Sequence, residues 1–153
     1  MKLITKDTDH AITTLILLTR GEGRLRSASE LARELGISHS FLRKILRILA
    51  GKEIVRSRNG EGGGFALLRN PRNISVLDIV EIFQGPVRFN DCMIGNRPCE
   101  RADHCVLRGK LKSMESRLLS DLTGITIASL VEEQAASGRK KKTRRRNAEQ
   151  TDQ

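Results

Sequence analysis

Three cysteines, Cys92, Cys99 and Cys105, are the only thiols in the 153-residue chain, and all fall within one short stretch. Six residues separate the first two and five separate the last two. Arg97, Glu100, Arg101 and Asp103 lie between them. Such company does not suit a buried core, where lone cysteines often serve as small hydrophobes. Gly95 and Pro98 let the stretch bend. Thiolates spaced this way suit an iron–sulfur cluster, which cysteines hold with an occasional histidine or other ligand. Structural zinc favours paired Cys-x2–4-Cys spacing, which is absent here. Cluster-free redox thiols, zinc and unligated cysteines all stay open on spacing alone. Three thiols leave a tetrahedral set one ligand short. His104 adjoins Cys105, so its side chain tends to point away from the same metal. No histidine stands at a recognisable spacing to activate a cysteine nucleophile and no substrate-binding motif is present, which argues against an enzyme or a small-molecule substrate.

The elements around this stretch follow from hydrophobic period and caps. Asp9–Arg20 reads as a helix with Ala11, Ile12, Leu15, Ile16 and Thr19 on one face, and Gly21 and Gly23 end it. Asp9 is a candidate cap for it. Ser27-Ala-Ser-Glu30 fits a capping box opening a second helix. Gly36 then suits a left-handed turn. Ser38 caps a third helix, whose Phe41, Leu42, Ile45, Leu46 and Leu49 form a buried stripe. Its other face shows His39, Ser40, Arg43, Lys44 and Arg47. Helix, tight turn, helix is the helix-turn-helix pattern. Short donors at the start of the third helix and cations further along suit base edges and phosphates.

Residues 54–58 and 65–68 are short apolar-rich runs joined by Asn59-Gly-Glu-Gly-Gly-Gly64, which reads as a β-hairpin with a permissive tip. After a helix-turn-helix, such a hairpin is a wing. Arg56, Arg58, Asn59, Gly60 and Arg69 flank or form its tip, placed for a phosphate or minor-groove contact. A phosphate-cradling loop would need Lys-Ser/Thr after the glycines, and none follows. Ser75 and Asp78 open a fourth helix closed by Gly85-Pro86. Beyond the cysteines, a helix over about 106–122 carries Leu107, Leu111, Met114, Leu118 and Leu122 as one narrow stripe, suited to pairing with its own copy. Residues 126–133 can form a short return helix.

Charge is uneven. The net +10 divides into 13 basic and 7 acidic residues over 1–70, 8 and 9 over 71–137, and 7 and 2 over 138–153. A basic head and tail around a near-neutral middle suggest that one half meets a polyanion. The tail, with seven bases among residues 139–146, is expected to be disordered. The longest apolar run, Leu15–Leu18, is far too short to span a bilayer. Met1–Asp9 lacks the pattern of a secretory signal. The expected location is the cytoplasm, where thiols stay reduced.

Residues 1–134 resemble the IscR/NsrR/RirA family of bacterial iron–sulfur winged-helix regulators. The likeness rests on Met1-Lys-Leu-Ile-Thr-Lys6, Thr8-Asp-His-Ala-Ile12, Ala28-Ser-Glu-Leu-Ala32, Ile37-Ser-His-Ser-Phe-Leu42, the wing Gly60-Glu-Gly-Gly-Gly-Phe65, Ile74-Ser-Val-Leu-Asp-Ile79 and the cysteine triplet. It implies a homodimer joined through the long helix, binding a double-stranded DNA operator. It also implies a cluster near the dimer interface held by Cys92, Cys99 and Cys105. In the IscR type the fourth ligand is a histidine three residues after the last cysteine, a position taken here by Arg108. In the NsrR type it is an aspartate near the start of the first helix, reached from the other subunit. That points to Asp9, with His10 or Asp7 as alternatives, and to a 4Fe–4S rather than a 2Fe–2S cluster. The arginine that family members often carry before the first wing glycine is here Asn59, beside Arg58. A base-reading glutamate of the IscR recognition helix is here Arg43, which can take guanine bidentately or bind a phosphate. A different operator sequence follows.

The expected fold is mostly α with a small β-hairpin wing: a winged helix-turn-helix plus a long dimerisation helix. The expected division is 1–85 for the DNA-binding domain, 86–105 for the cluster-binding loop, 106–134 for the dimerisation helix and return segment, and 135–153 for the tail. The expected function is a DNA-binding transcriptional regulator controlled by an iron–sulfur cluster. The alternative is a cluster-free thiol-redox or metal-responsive regulator on the same fold.

Overall fold

The computed structural model describes residues 3–89, 93–94, 97–99 and 102–137. Cys92 and the basic tail beyond residue 137 lie outside the described residues. The chain folds around the first helix, α1 (Lys6–Arg20), whose Ala11, Leu15 and Leu18 are buried. The helix starts three residues before the expected Asp9. Its N-cap is Thr5, whose hydroxyl accepts from the Thr8 amide at 3.5 Å. Asp9 therefore does not cap the helix. It sits with Asp7 in the first turn, where a carboxylate still complements the helix dipole.

α2 (Ala28–Leu35) opens at Ser27, whose hydroxyl accepts from the Glu30 amide at 3.1 Å. The other half of the expected box is the weaker one: the Glu30 carboxylate bonds chiefly to Arg26, with the Ser27 backbone a lesser partner. Gly36 adopts φ +66°, the left-handed conformation that turns the chain tightly into α3 (His39–Gly51). Ser38 caps α3 by accepting from the Phe41 amide. Leu42, Ile45, Leu46 and Leu49 seal α3 onto Leu15, Leu18 and Leu31 in the main core.

β1 (Val55–Arg58) and β2 (Gly64–Leu67) pair antiparallel, from Val55 opposite Leu67 to Arg58 opposite Gly64. Arg26 pairs with Phe65 on the other side of β2, through backbone bonds of 2.9 and 2.8 Å. The wing is thus anchored to the helix-turn-helix at its base. Gly63 and Gly64 are sterically dictated. A Cβ on Gly63 would overlap the Arg58 carbonyl oxygen, and one on Gly64 would lie 2.5 Å from that of Arg26.

α4 (Val76–Gln84) opens with a complete capping box, in which Ser75 and Asp78 satisfy each other's backbone amides. β3 (Met93–Ile94) and β4 (Arg97–Pro98) form a small antiparallel ribbon within the cysteine stretch. α5 (Val106–Gly124) follows, and α6 spans residues 127–137. Thr126 and Ser129 cap α6 reciprocally. A second small cluster of Val76, Val80 and Leu122 joins α4 to the end of α5. Ser75 and Thr126 also pair as a short β-bridge, which brings the chain back to the start of α4. None of the described helices is long and apolar enough to cross a membrane.

Candidate functional site

The outer face of α3 carries the groups expected to read DNA. Ser38, His39, Ser40, Arg43, Lys44 and Arg47 are all exposed. Arg56, Arg58, Asn59 and Gly60 are exposed along β1 and the wing tip. Among the described residues, Arg43, Arg47, Arg56 and Arg58 have no ion-pair partner. Lys44 is the exception: its ammonium meets the Asp7 carboxylate at 3.2 Å. His10 packs edge-on against Phe41, with ring centroids 5.5 Å apart. The first turn of α1 thus touches the reading helix twice, and the spacing of Asp7 and Lys44 in the chain gave no sign of it.

The wing base holds a second charged cluster. Arg26 donates to Glu34 and Glu30, and Arg24 lies 3.8 Å from Glu30. The hydrogen bond to Glu34 is the largest influence holding the Arg26 guanidinium protonated. The hydrogen bond from Arg26 holds the Glu30 carboxyl below its usual value. These carboxylates neutralise the arginine nearest the wing base and leave those on β1 to face outward.

In the cysteine stretch, Cys99 and Cys105 are unpaired, half-buried thiols. The register of the ribbon sets Met93 beside Pro98. In the chain Cys92 directly precedes the first of these and Cys99 directly follows the second. Cys105 is the N-cap of α5, and its sulfur accepts the Arg108 amide at 3.4 Å. Arg108 directs its guanidinium to Asp103, so this position offers no ligand. Asp9 is exposed on α1. Among the described residues no three of His, Cys, Asp or Glu converge, so Asp9, Cys99 and Cys105 do not come together within one chain.

The stripe on α5 divides. Leu122 is buried against α4, and Leu118 packs beside it. Val106, Leu107 and Met114 stand 78%, 64% and 56% exposed. Phe89 donates its amide to Glu115 at 2.8 Å, which ties the chain entering the cysteine stretch to the middle of α5.

A helix-turn-helix with a wing and an exposed cationic reading face defines a winged-helix DNA-binding protein. Residues 4–133 match the sequence model of the family described as Rrf2, iron-dependent transcriptional regulator, and the chain belongs to that family. It is a transcriptional regulator and not an enzyme. The HTH-type transcriptional regulator IscR of Sodalis glossinidius is 30% identical over 133 residues, covering 86% of this chain and 79% of that protein. The structure of T. potens IscR superposes with a TM-score of 0.66 at 23% identity, covering 87% of this chain and 88% of that one. CymR, the global cysteine regulator of B. subtilis, superposes with a TM-score of 0.70 at 22% identity, covering 87% and 98%. The two superpositions establish the shared winged-helix fold.

Proposed function

We propose that the chain is a homodimeric regulator whose affinity for an operator is set by an iron–sulfur cluster held by Cys92, Cys99 and Cys105. The observation that carries this reading is Cys105. Its sulfur caps α5 and accepts a backbone amide, at the junction between the DNA-reading head and a helix with an uncovered apolar face. Two half-buried unpaired thiols with an amide donor fit thiolate ligation of a cluster. Asp9 is the proposed fourth ligand. Since it does not meet Cys99 and Cys105 within one chain, it would come from the second copy. The cluster would supply a tie that chemical attack can undo. Val106, Leu107 and Met114 form the proposed pairing face. Segments 1–85, 86–105, 106–134 and 135–153 divide as reading head, sensing loop, pairing element and tail.

Ser38, His39, Ser40, Arg43, Lys44 and Arg47 would enter the major groove, with Arg56, Arg58, Asn59 and Gly60 at the flanking backbone or minor groove. Loss of the tie would change the angle between the two reading helices, and affinity would fall as the half-sites misalign. The test is the affinity of anaerobically purified, cluster-stripped and Cys99→Ala proteins for a duplex selected from random DNA. Equal affinities would sink cluster control while leaving DNA binding intact. Unchanged spectra and iron content in Asp9→Ala would remove Asp9 as a ligand. A cluster-free thiol switch is the second reading, which the free thiols of Cys99 and Cys105 would equally serve. Iron and sulfide content with the visible spectrum separates the two.

A further inference from the structure

We propose that Gln84 is the positioning residue through which the cysteine segment sets the first turn of α1, and through it the reading helix. Gln84 is the last residue of α4, and the segment leading to the cysteines departs immediately after it. Its carbonyl oxygen accepts from the Thr5 amide at 2.8 Å and from the Thr8 hydroxyl at 2.7 Å. Its amide nitrogen donates to the Leu3 carbonyl at 3.0 Å. One neutral side chain thus holds both sides of the α1 N-cap, about eighty residues away in sequence. Thr8 has no solvent exposure, so Gln84 also supplies a partner to a buried hydroxyl.

The path on either side of this latch is continuous. Cys105 caps α5, α5 packs on α4 through Leu122 and Val80, and Glu115 holds Phe89. Beyond the latch, Asp7 grips Lys44 and His10 abuts Phe41. The outer side of the junction is open, with a cleft of about 150 Å³ between Leu3 and residues 84–89. Further along, Ile12 packs against Val76 and Val80 and Ile79 lies in the main core, so the latch governs the first turn of α1 and not the whole helix. An element held by a few breakable bonds beside open space can take two positions, which a packed core resists.

The proposal rests on the reading above only in taking the cysteine segment as the input. Its test is amide hydrogen exchange on the full chain, with Cys99 and Cys105 intact or both changed to Ser. Each is combined with the native latch, Gln84→Met or Thr8→Val. Gln84→Met alone should speed exchange at residues 5–9 about tenfold, as expected when a hydrogen-bonded turn loses its anchor. With the native latch, the cysteine change should alter exchange at 5–10 and at 39–44. With either latch variant, the same change should stay near residues 99–110. Thr8→Val keeps the shape of the side chain and answers for any folding defect in Gln84→Met. The proposal is overturned if α1 and α3 respond alike with and without the latch, or do not respond at all. Affinity for the selected duplex, measured with and without the cluster, then separates the two ideas. A latch-dependent exchange pattern with unchanged affinity would keep the latch and remove cluster control; a changed affinity with latch-independent exchange would do the reverse.

Discussion

Lys44 lies on the face proposed to read DNA but is already engaged by Asp7, so removing that carboxylate should strengthen binding. Its ammonium is 3.2 Å from Asp7, with the side chains 64% and 36% exposed. Exposed pairs of this kind are worth about 0.2–1 kcal/mol. To meet a phosphate, Lys44 must give up that amount. Asp7→Asn should therefore raise DNA affinity by up to about fivefold, since 1 kcal/mol at 25 °C is close to a factor of five. If Lys44 then makes a full phosphate contact, the salt dependence should steepen by up to about 0.9 in log–log slope. Removing a negative charge also reduces long-range repulsion, but that effect is screened beyond roughly 10 Å at 0.1 M salt. The double variant with Lys44→Ala isolates the pair: in that background Asp7→Asn should do little. Fluorescence anisotropy with a labelled duplex between about 50 and 200 mM chloride measures both quantities. Equal gains in the two backgrounds would refute the idea that Asp7 withholds Lys44. A loss of affinity would mean that Asp7 aims Lys44 at the DNA.

Three further outcomes follow from the geometry. Gly64→Ala places a methyl group 2.5 Å from the Arg26 carbonyl oxygen, so it should detach β2 from Arg26 and cost about 2 kcal/mol by urea denaturation, while Gly62→Ala, facing open space, should cost about half as much. Glu30 has a folded-state value below its usual one, so its contribution is present above the ordinary carboxylate range and is lost as pH falls through the lower folded value. The stability gap between the native chain and Glu30→Gln should accordingly close between about pH 5 and pH 3 in thermal melts. Leu107→Glu should leave the melting temperature near that of the native chain yet weaken self-association in sedimentation, whereas buried Leu122→Ala should cost about 2–3 kcal/mol.

Features set by neighbours in sequence were legible. Ser38 and Ser75 cap where a hydroxyl three residues before a helical amide must, and Gly36 turns where only a left-handed residue fits. The start of α1 was not legible, because Thr5 and Thr8 share the capping work that an aspartate was expected to do. The Ser27 box was visible, but that Arg26 would be the chief partner of Glu30 was not, since the Arg26–Phe65 pairing that places Arg26 is long-range. The α5 stripe was visible by its period, yet period alone does not say where it leaves the body: Leu122 is covered and Leu107 is not. Gln84 carried no local signal, since its partners are between 76 and 81 residues distant. The cysteine spacing pointed to ligation, but no three of His, Cys, Asp or Glu converge among the described residues, so the proposed fourth ligand had no local signal.

The bridge between Ser75 and Thr126 has a consequence for how such a chain can diversify. The Val76 amide donates to Ile125 and the Ile127 amide to Ile74, at 2.8 and 2.9 Å, so the chain that leaves α4 for the cysteine stretch is clamped on its return beside the start of α4. An excursion clamped at its mouth can change length without moving what lies outside it. Doubling a flexible loop costs only about 0.6 kcal/mol in closure entropy. The stretch proposed to sense is thus an interchangeable cassette: longer, shorter or differently liganded versions could be spliced between Gln84 and α5 while the core of the head and the Gln84 latch stay in place.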